Sequence, residues 1–296
     1  MKKNNTLSLL HLPIILFICS FVLTSCLDSS NPNQAPGNLL EEAKSYSEFD
    51  TFVGYLSETD EAELDSTIAN EGPFTVLIPT EEAFDELPEG TFSSFSEEEL
   101  TEVLSYHIVE EVVDLNNVDT QERIESMQGN DLYFEVGTDS SFVNSGQLLA
   151  SVGADNGVIY QINKVMLPDS YLHTAGLISK RYQLDSLDSA LSDADLQADL
   201  ADTTQNYTVF APEDEAFEDA TLQDALEYHV VPQKLMSDDF SSSQTYETLS
   251  GEELTVEIDG ENIIINGEAT VSTADIEGNN GVVHIIDTIL EVPSKE

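Results

Sequence analysis

The sequence predicts two tandem α+β domains, and three observations carry that reading. The first is a ten-residue stretch present twice, as Thr75-Val76-Leu77-Ile78-Pro79-Thr80-Glu81-Glu82-Ala83-Phe84 and as Thr208-Val209-Phe210-Ala211-Pro212-Glu213-Asp214-Glu215-Ala216-Phe217. In each copy β-favouring apolar residues run into a proline, which has no N–H for a ladder, and acidic residues follow where a helix N-terminus favours negative charge. Each copy therefore reads as a buried strand turning into a helix. The second observation is two further pairs in the same order: Tyr106-His107-Ile108-Val109 with Tyr228-His229-Val230-Val231, and the segment opening at Asn156-Gly157-Val158 with the one opening at Asn280-Gly281-Val282. The third is the spacing. The copies lie about 120 to 135 residues apart, too far for a solenoid repeat and the size of a whole domain.

A Thr-Val-x-x-Pro-x-x-x-Ala-Phe segment, then Tyr-His, then Asn-Gly-Val leading into a last strand, resembles the fasciclin-type domain. All three landmarks occur twice, and together they cover nearly all of the mature chain. The resemblance implies that each copy is a small twisted β-sandwich or wedge with helices packed on one side, the first over 44–168 and the second over 171–293. It also implies adhesion or binding rather than catalysis.

Composition sets the partners that are excluded. Nine Lys plus Arg stand against 58 Asp plus Glu in 296 residues, a formal net charge of −49. Nucleic acid and anionic headgroups are bound by basic side chains that neutralise phosphates, so this surface repels both. The same charge keeps the chain soluble and suits saline surroundings, where a Debye length of about 8 Å or less screens the self-repulsion.

Residues 1–25 read as a leader: Lys2 and Lys3, an apolar run from Leu7 to Leu23 interrupted by His11 and Pro13, then small residues. The run is shorter than the roughly 20 apolar residues of a membrane span and suits a signal peptide. Leu23-Thr24-Ser25-Cys26 resembles the lipobox of bacterial lipoproteins, which implies acylation of Cys26 as the new N-terminus. Acyl chains contribute about 0.8 kcal/mol per buried CH₂, so a multiply acylated cysteine anchors without a spanning helix. Leu27 gives no inner-membrane retention cue, so an outer-membrane lipoprotein is expected, with residues 26–43 as a flexible tether. The one other cysteine, Cys19, lies inside the leader, so the domains have no disulfide and depend on their cores.

In the first domain Phe49, Phe52, Val53 and Leu56 have the spacing of an amphipathic helix, and Leu64 and Ile68 extend its core. Ser96 and Glu99 form a capping-box pattern that opens a helix carrying Leu100, Val103, Leu104 and His107 on one stripe. Strands are expected over Val109 to Val113, around Leu132, Phe134 and Val136, at Phe142-Val143 and over Val158 to Ile162. In the second domain Leu184, Leu187 and Leu191 repeat the first helical stripe, and Leu196 with Leu200 repeats the pair that follows it. Thr221 is expected to cap a helix carrying Leu222, Ala225, Leu226 and His229. Leu254, Val256 and Ile258, then Asp259-Gly260, then Ile263 to Ile265 form the clearest hairpin signal. The first domain has Gly137 to Ser141 in that place and should turn more loosely. The short connection from Met166 to Ser170 implies that the two domains touch.

Candidate interaction residues are the pairs Tyr106-His107 and Tyr228-His229, which the resemblance associates with adhesion and with holding the fold together. The helical phase points both histidines into the core. Asp275-Ile276 matches a pair that some animal fasciclin-type domains present to integrins; its structural alternative is a strand start with Ile276 buried. The acidic run from Asp193 to Asp202 lacks the glycine and the bidentate glutamate of a calcium loop, and there is no His-Glu-x-x-His or cysteine cluster, so neither a metal nor a cofactor is expected. No Gly-x-Ser-x-Gly or phosphate loop occurs. The expectation is a lipid-anchored, non-catalytic envelope protein that engages an extracellular or envelope protein or glycan. The alternatives are a glycan-processing or glycan-sensing accessory with a carboxylate site in the interdomain cleft, and a structural spacer.

Overall fold

The computed structural model describes residues 36–59, 63–88, 90–217 and 225–293. Cys26, the leader, the first part of the tether, and Thr221 with Leu222 lie outside the described residues. The first domain opens with helices α1 Leu39–Ser45, α2 Asp50–Glu58 and α3 Glu63–Asn70, followed by strand β1 Phe74–Pro79 and helices α4 Glu81–Asp85 and α5 Glu97–Ser105. Strands β2 Ile108–Val109, β3 Gln121–Glu125, β4 Asp131–Val136, β5 Ser141–Val143, β6 Gly146–Ala154 and β7 Gly157–Ile162 complete it. The second domain repeats the plan with helices α6 Thr174–Ser179, α7 Asp185–Asp193 and α8 Gln197–Leu200, strand β8 Tyr207–Pro212, and 3₁₀ turns at Asp214–Phe217 and Leu226–His229. Its remaining strands are β9 Val230–Val231, β10 Ser243–Glu247, β11 Glu253–Asp259, β12 Asn262–Ile265, β13 Ala269–Gly278 and β14 Gly281–Ile286.

Each domain is one seven-stranded sheet, in the order β2-β1-β7-β6-β5-β4-β3 and the corresponding β9-β8-β14-β13-β12-β11-β10. The first and last long strands run parallel, with Phe74 opposite Gly157 and Tyr207 opposite Gly281, and the other pairs are antiparallel. Register breaks in β6 and β13 mark where the sheet departs from a regular ladder, as bulges do where a sheet bends.

The duplicated stretch explains how two cores share one sheet. Successive side chains of β1 face opposite ways. Phe74, Val76 and Ile78 pack under the helices with Phe49, Phe52 and Leu104. Leu77 faces the other core, with Tyr106, Leu132, Phe134 and Ile162. In β8 the same alternation sends Val209 and Ala211 to the helix side and Phe210 to the other side. All six residues of β1 and of β8 are buried, as expected of a strand covered on both faces.

The expected elements differ from the observed ones at four places, one of them the strand expected over Val109 to Val113, where only Ile108–Val109 pairs in the sheet. The tether expected through residue 43 ends sooner: Asn38 caps α1 in a capping box and Leu39 and Ala43 are buried in the first core. The first copy of the duplicated stretch does turn into an α-helix, because Thr80 Oγ1 accepts from Ala83 N at 3.2 Å. Over the described residues the second forms a 3₁₀ turn, Asp214–Phe217. Glu213 stands where Thr80 stands, and its carboxylate is taken by Ser272 Oγ. Strands β3, β6, β10 and β13 are additional, and β3 and β10 alternate between exposed and half-buried residues at sheet edges. The Asp259-Gly260 hairpin is present with Asp259 opposite Asn262, and Gly260 alone supplies the positive φ, at 66°. Its counterpart in the first domain has four loop residues between Val136 and Ser141, the looser turn the sequence implies.

Candidate functional site

The capping box predicted at Ser96 and Glu99 forms, with Ser96 N donating to Glu99 Oε2 at 2.8 Å, and α5 delivers Tyr106 and His107 into the interior. His107 is 1% exposed. Its Nδ1–H donates to Val103 O at 2.8 Å, and its Nε2 accepts from Met166 N at 3.1 Å. His229 repeats this with Ala225 O at 2.8 Å and Leu290 N at 2.9 Å. A carbonyl on one side and an N–H on the other fix the neutral tautomer. Burial pushes both rings down to about 4, the carbonyl contact opposing it. Each histidine thus fastens a helix end to the segment that follows the last strand of its own domain.

The tyrosines are equally internal. Tyr106 OH donates to Asp131 O at 2.9 Å and accepts from Asn144 Nδ2 at 2.7 Å. Tyr228 OH donates to Glu253 O at 3.0 Å and accepts from Asn266 Nδ2 at 2.9 Å. Both asparagines sit at positive φ, 48° and 54°, so each turns a hairpin with its backbone and holds a tyrosine with its side chain. The Asn-Gly landmarks are fasteners too. Asn156 Oδ1 accepts from Leu39 N while its Nδ2 donates to Ile68 O and Glu71 O. Asn280 makes the same three contacts with Thr174, Leu200 and Asp202. A Cβ on Gly157 or Gly281 would lie 2.0 Å from the carbonyl oxygen of Phe74 or Tyr207 on the neighbouring parallel strand.

Ile276 is 9% exposed and packs in the core of the second domain. Asp275 lies in β13 at a φ of 60° where the register with β14 shifts. Its carboxylate accepts from Ser237 N at 2.7 Å and from Ser237 Oγ, and its own N–H donates to His284 Nδ1 at 3.2 Å. The pair therefore ties a bulge to the Ser237–Asp239 turn.

The residues that sequence reasoning missed are at the domain junction. Lys180 and Arg181, at the end of α6, are 4% and 3% exposed. Lys180 Nζ donates to Tyr106 OH at 2.8 Å and meets Asp169 Oδ1 in the connection between the domains. Arg181 spreads its guanidinium over three acceptors: Tyr133 OH at 3.1 Å, Leu177 O at 2.5 Å and Asp169 Oδ2 at 2.6 Å. Burial raises Asp169, but the two cations outweigh it and hold the carboxyl below its usual range. Lys180 faces one carboxylate with Arg181 beside it, so burial prevails and pulls it down to about 8. Tyr133 and Tyr182 add an edge-on ring contact across the same junction. The available signal was scarcity, since Lys180 and Arg181 are adjacent in a chain with nine basic residues.

A cleft of about 460 Å³ opens beside this latch, lined by both domains. Each carboxylate on its wall already has a partner. Glu102 accepts from Gln128 Nε2 and Tyr171 OH, Asp131 pairs with Arg123, Asp169 with the latch, Asp275 with Ser237 and Glu277 with Lys234. Among the described residues no group of three or more His, Cys, Asp or Glu side chains is placed to hold a metal ion. The exposed large apolar side chains among them are Val112, Leu249 and Val292, and every described Phe and Tyr is at least half-buried or buried.

Comparison with known proteins agrees with this architecture. The family model described as "Fasciclin domain" matches residues 47–168 and 182–293. Human periostin is 27% identical over 248 residues, which cover 77% of this chain and 28% of periostin. Protein sll1483 of Synechocystis is 36% identical over 124 residues, covering 40% of this chain and 68% of that protein. Among solved structures, a FAS1 domain pair from the insect cell adhesion molecule fasciclin I superposes with a TM-score of 0.59 at 20% identity, covering 83% of this chain and 97% of that one. With the landmark triad repeated, its contacts reproduced in each copy and the family model matched twice, the chain belongs to the fasciclin-domain family and carries two such domains in tandem.

Proposed function

We propose that this protein is a non-catalytic adhesion module of the cell envelope, held by a lipid on Cys26 and engaging an extracellular or envelope protein or glycan with the outer surface of its two domains. The observation that carries the reading is the latch. Lys180 and Arg181 join two acidic domains into one unit through Tyr106, Tyr133 and Asp169. A fixed pair presents a wide surface without the ordering cost that a swinging pair pays on binding. The insect domain pair likewise comes from a cell adhesion molecule. The hydrolytic alternative needs a carboxyl held protonated next to an ionised one, whereas the cleft carboxylates are occupied by donors and Asp169 is held ionised.

Two measurements test the proposal. The full chain labelled with radioactive palmitate in a bacterial host should carry label in the outer-membrane fraction, and Cys26→Ser should abolish it. The protein should be captured by immobilised extracellular material from neighbouring cells, with no loss when divalent cations are chelated. Label retained by Cys26→Ser, or turnover of a polysaccharide in place of capture, would reject the corresponding half of the reading.

A further inference from the structure

The junction covers a face of the first domain that the second domain repeats. In the first domain this face is the turn over 126–130 with the segment that follows β7. Met127 N donates to Ile108 O, Asn130 Oδ1 accepts from Asp169 N at 3.2 Å, and Pro168 is buried. The second domain closes over it with the end of α6 and the 3₁₀ turn Tyr182–Leu184. Lys180 Nζ reaches Tyr106 OH, and the ring of Tyr182 meets that of Tyr133 with centroids 5.8 Å apart.

The same backbone contacts recur in the second domain and fix the counterparts. Leu249 N donates to Val230 O, so Leu249 stands where Met127 stands. Leu290 N on His229 matches Met166 N on His107, so Val292 stands where Pro168 stands. Asn266 Oδ1 accepts from Thr255 N as Asn144 Oδ1 does from Tyr133 N, so Thr255 takes the place of Tyr133. Here the face is open. Leu249 is 36% and Val292 38% exposed, two of the three exposed large apolar side chains among the described residues, whereas Met127 is half-buried. Gathering of such side chains on one face marks an interaction site.

We propose that this open face of the second domain takes the first domain of a second copy, head to tail, repeating between molecules the step that joins the two domains within one. The proposal goes beyond the adhesion reading and does not rest on it. The occupant has to bring a short helix followed by a 3₁₀ turn, and the first domain carries both: α1, capped by the Asn38 side chain as α6 is by that of His173, leads to the turn Ser47–Phe49. In register with α6 and its turn, Ser47 falls where Tyr182 lies, and the exposed Lys44 falls beside the place of Lys180. Asp131, which acts on Lys180 in the junction, has the exposed Glu253 as its counterpart, a carboxylate for that incoming lysine. The repetition is incomplete. Ser45 and Tyr46 stand in place of Lys180 and Arg181, and Pro293 in place of Asp169, so the buried ion pairs are missing and copies associate reversibly where the internal junction is fixed. An interface of this heterologous kind closes into a ring or propagates as a filament.

The test is cysteine cross-linking of the full chain in a bacterial host, with two differently tagged copies, one Ser47→Cys and one Thr255→Cys, and a short bismaleimide; the wild type gives the background from its own cysteines. The spacing of Tyr182 and Tyr133 in the internal junction places these two thiols within reach, so a mixed dimer carrying both tags should form. Neither variant should cross-link with its own kind. Adding Leu249→Asp to the Thr255→Cys copy should lower the mixed yield about tenfold, while Val112→Asp, at the remaining exposed apolar residue, should leave it unchanged. Equal melting of the Leu249→Asp variant and its parent would show that the loss is local. The yield should rise with salt, because copies with a net charge of −49 repel. No mixed dimer, a dimer between Thr255→Cys copies in its place, which would mean that two such faces meet back to back, or a mixed yield indifferent to Leu249→Asp overturns the proposal. Capture by extracellular material tests the adhesion reading separately and moves independently of each of these outcomes.

Discussion

Acid should loosen this protein through two buried rings, and the size of the effect follows from the structure. His107 and His229 are both held down to about 4 by burial, from an ordinary value of 6.5. Above pH 6.5 neither the folded nor the unfolded chain protonates these rings, so their contribution is fully present. Between 6.5 and 4 the unfolded chain takes up a proton that the folded ring refuses, and stability falls by about 1.4 kcal/mol per pH unit for each histidine. Over the whole window that amounts to about 3 kcal/mol per ring. The many surface carboxylates also titrate at the acid end and relieve self-repulsion, an effect of opposite sign. A difference measurement cancels them. Urea unfolding of the wild type and of His229→Gln, each from pH 7.5 to 5, should give stabilities whose difference shrinks by about 2 kcal/mol between pH 6.5 and 5, because only the wild type pays for the proton. A difference that stays flat across that interval would refute the assignment of His229 as a neutral, buried fastener.

Three further outcomes are expected. Asp169→Ala leaves the buried Lys180 and Arg181 without their carboxylate and should cost about 3 to 5 kcal/mol, whereas Lys180→Met, which leaves Tyr106 OH with two partners and Asp169 with Arg181, should change stability by about 1 kcal/mol or less; equal losses in denaturant titrations would contradict the latch. Gly281→Ala places a methyl 2.0 Å from Tyr207 O and should destabilise the second domain by about 3 kcal/mol in calorimetry, while Gly260→Ala in the open hairpin costs less. Ser96→Ala removes a capping box and should cost about 1 kcal/mol, read as a fall in melting temperature.

The parts of the fold that were legible in the sequence are those set by local chemistry. Val76, Leu77 and Ile78 have to be buried on both faces whatever surrounds them, Asp259-Gly260 turns a hairpin on its own, and Ser96 with Glu99 starts a helix within four residues. The edge strands were not legible, because in Gln121–Glu125 and Ser243–Glu247 every second side chain is only half-buried, against a neighbour that only the tertiary fold supplies. The second copy of the duplicated stretch has Glu213 where Thr80 caps the first, and the Glu213 carboxylate meets Ser272 Oγ, a partner 59 residues away that no local pattern shows. The junction was the least legible part. Lys180 acquires its meaning from Tyr106, 74 residues earlier and in the other domain, and no periodicity links the two. Both histidines are buried, as their place on an apolar stripe implied, although the described residues leading to His229 form a 3₁₀ turn, Leu226–His229. Their partners Met166 N and Leu290 N lie beyond the last strands, out of reach of any local pattern.

The central claim is that the tyrosine–histidine landmarks hold each domain together while recognition, as proposed, belongs to the outer surface. Capture of His229→Gln by extracellular material at neutral pH, measured well below its melting temperature, tests this most directly. The account predicts capture equal to that of the wild type with a clearly lowered melting temperature. Capture lost with melting unchanged would contradict it.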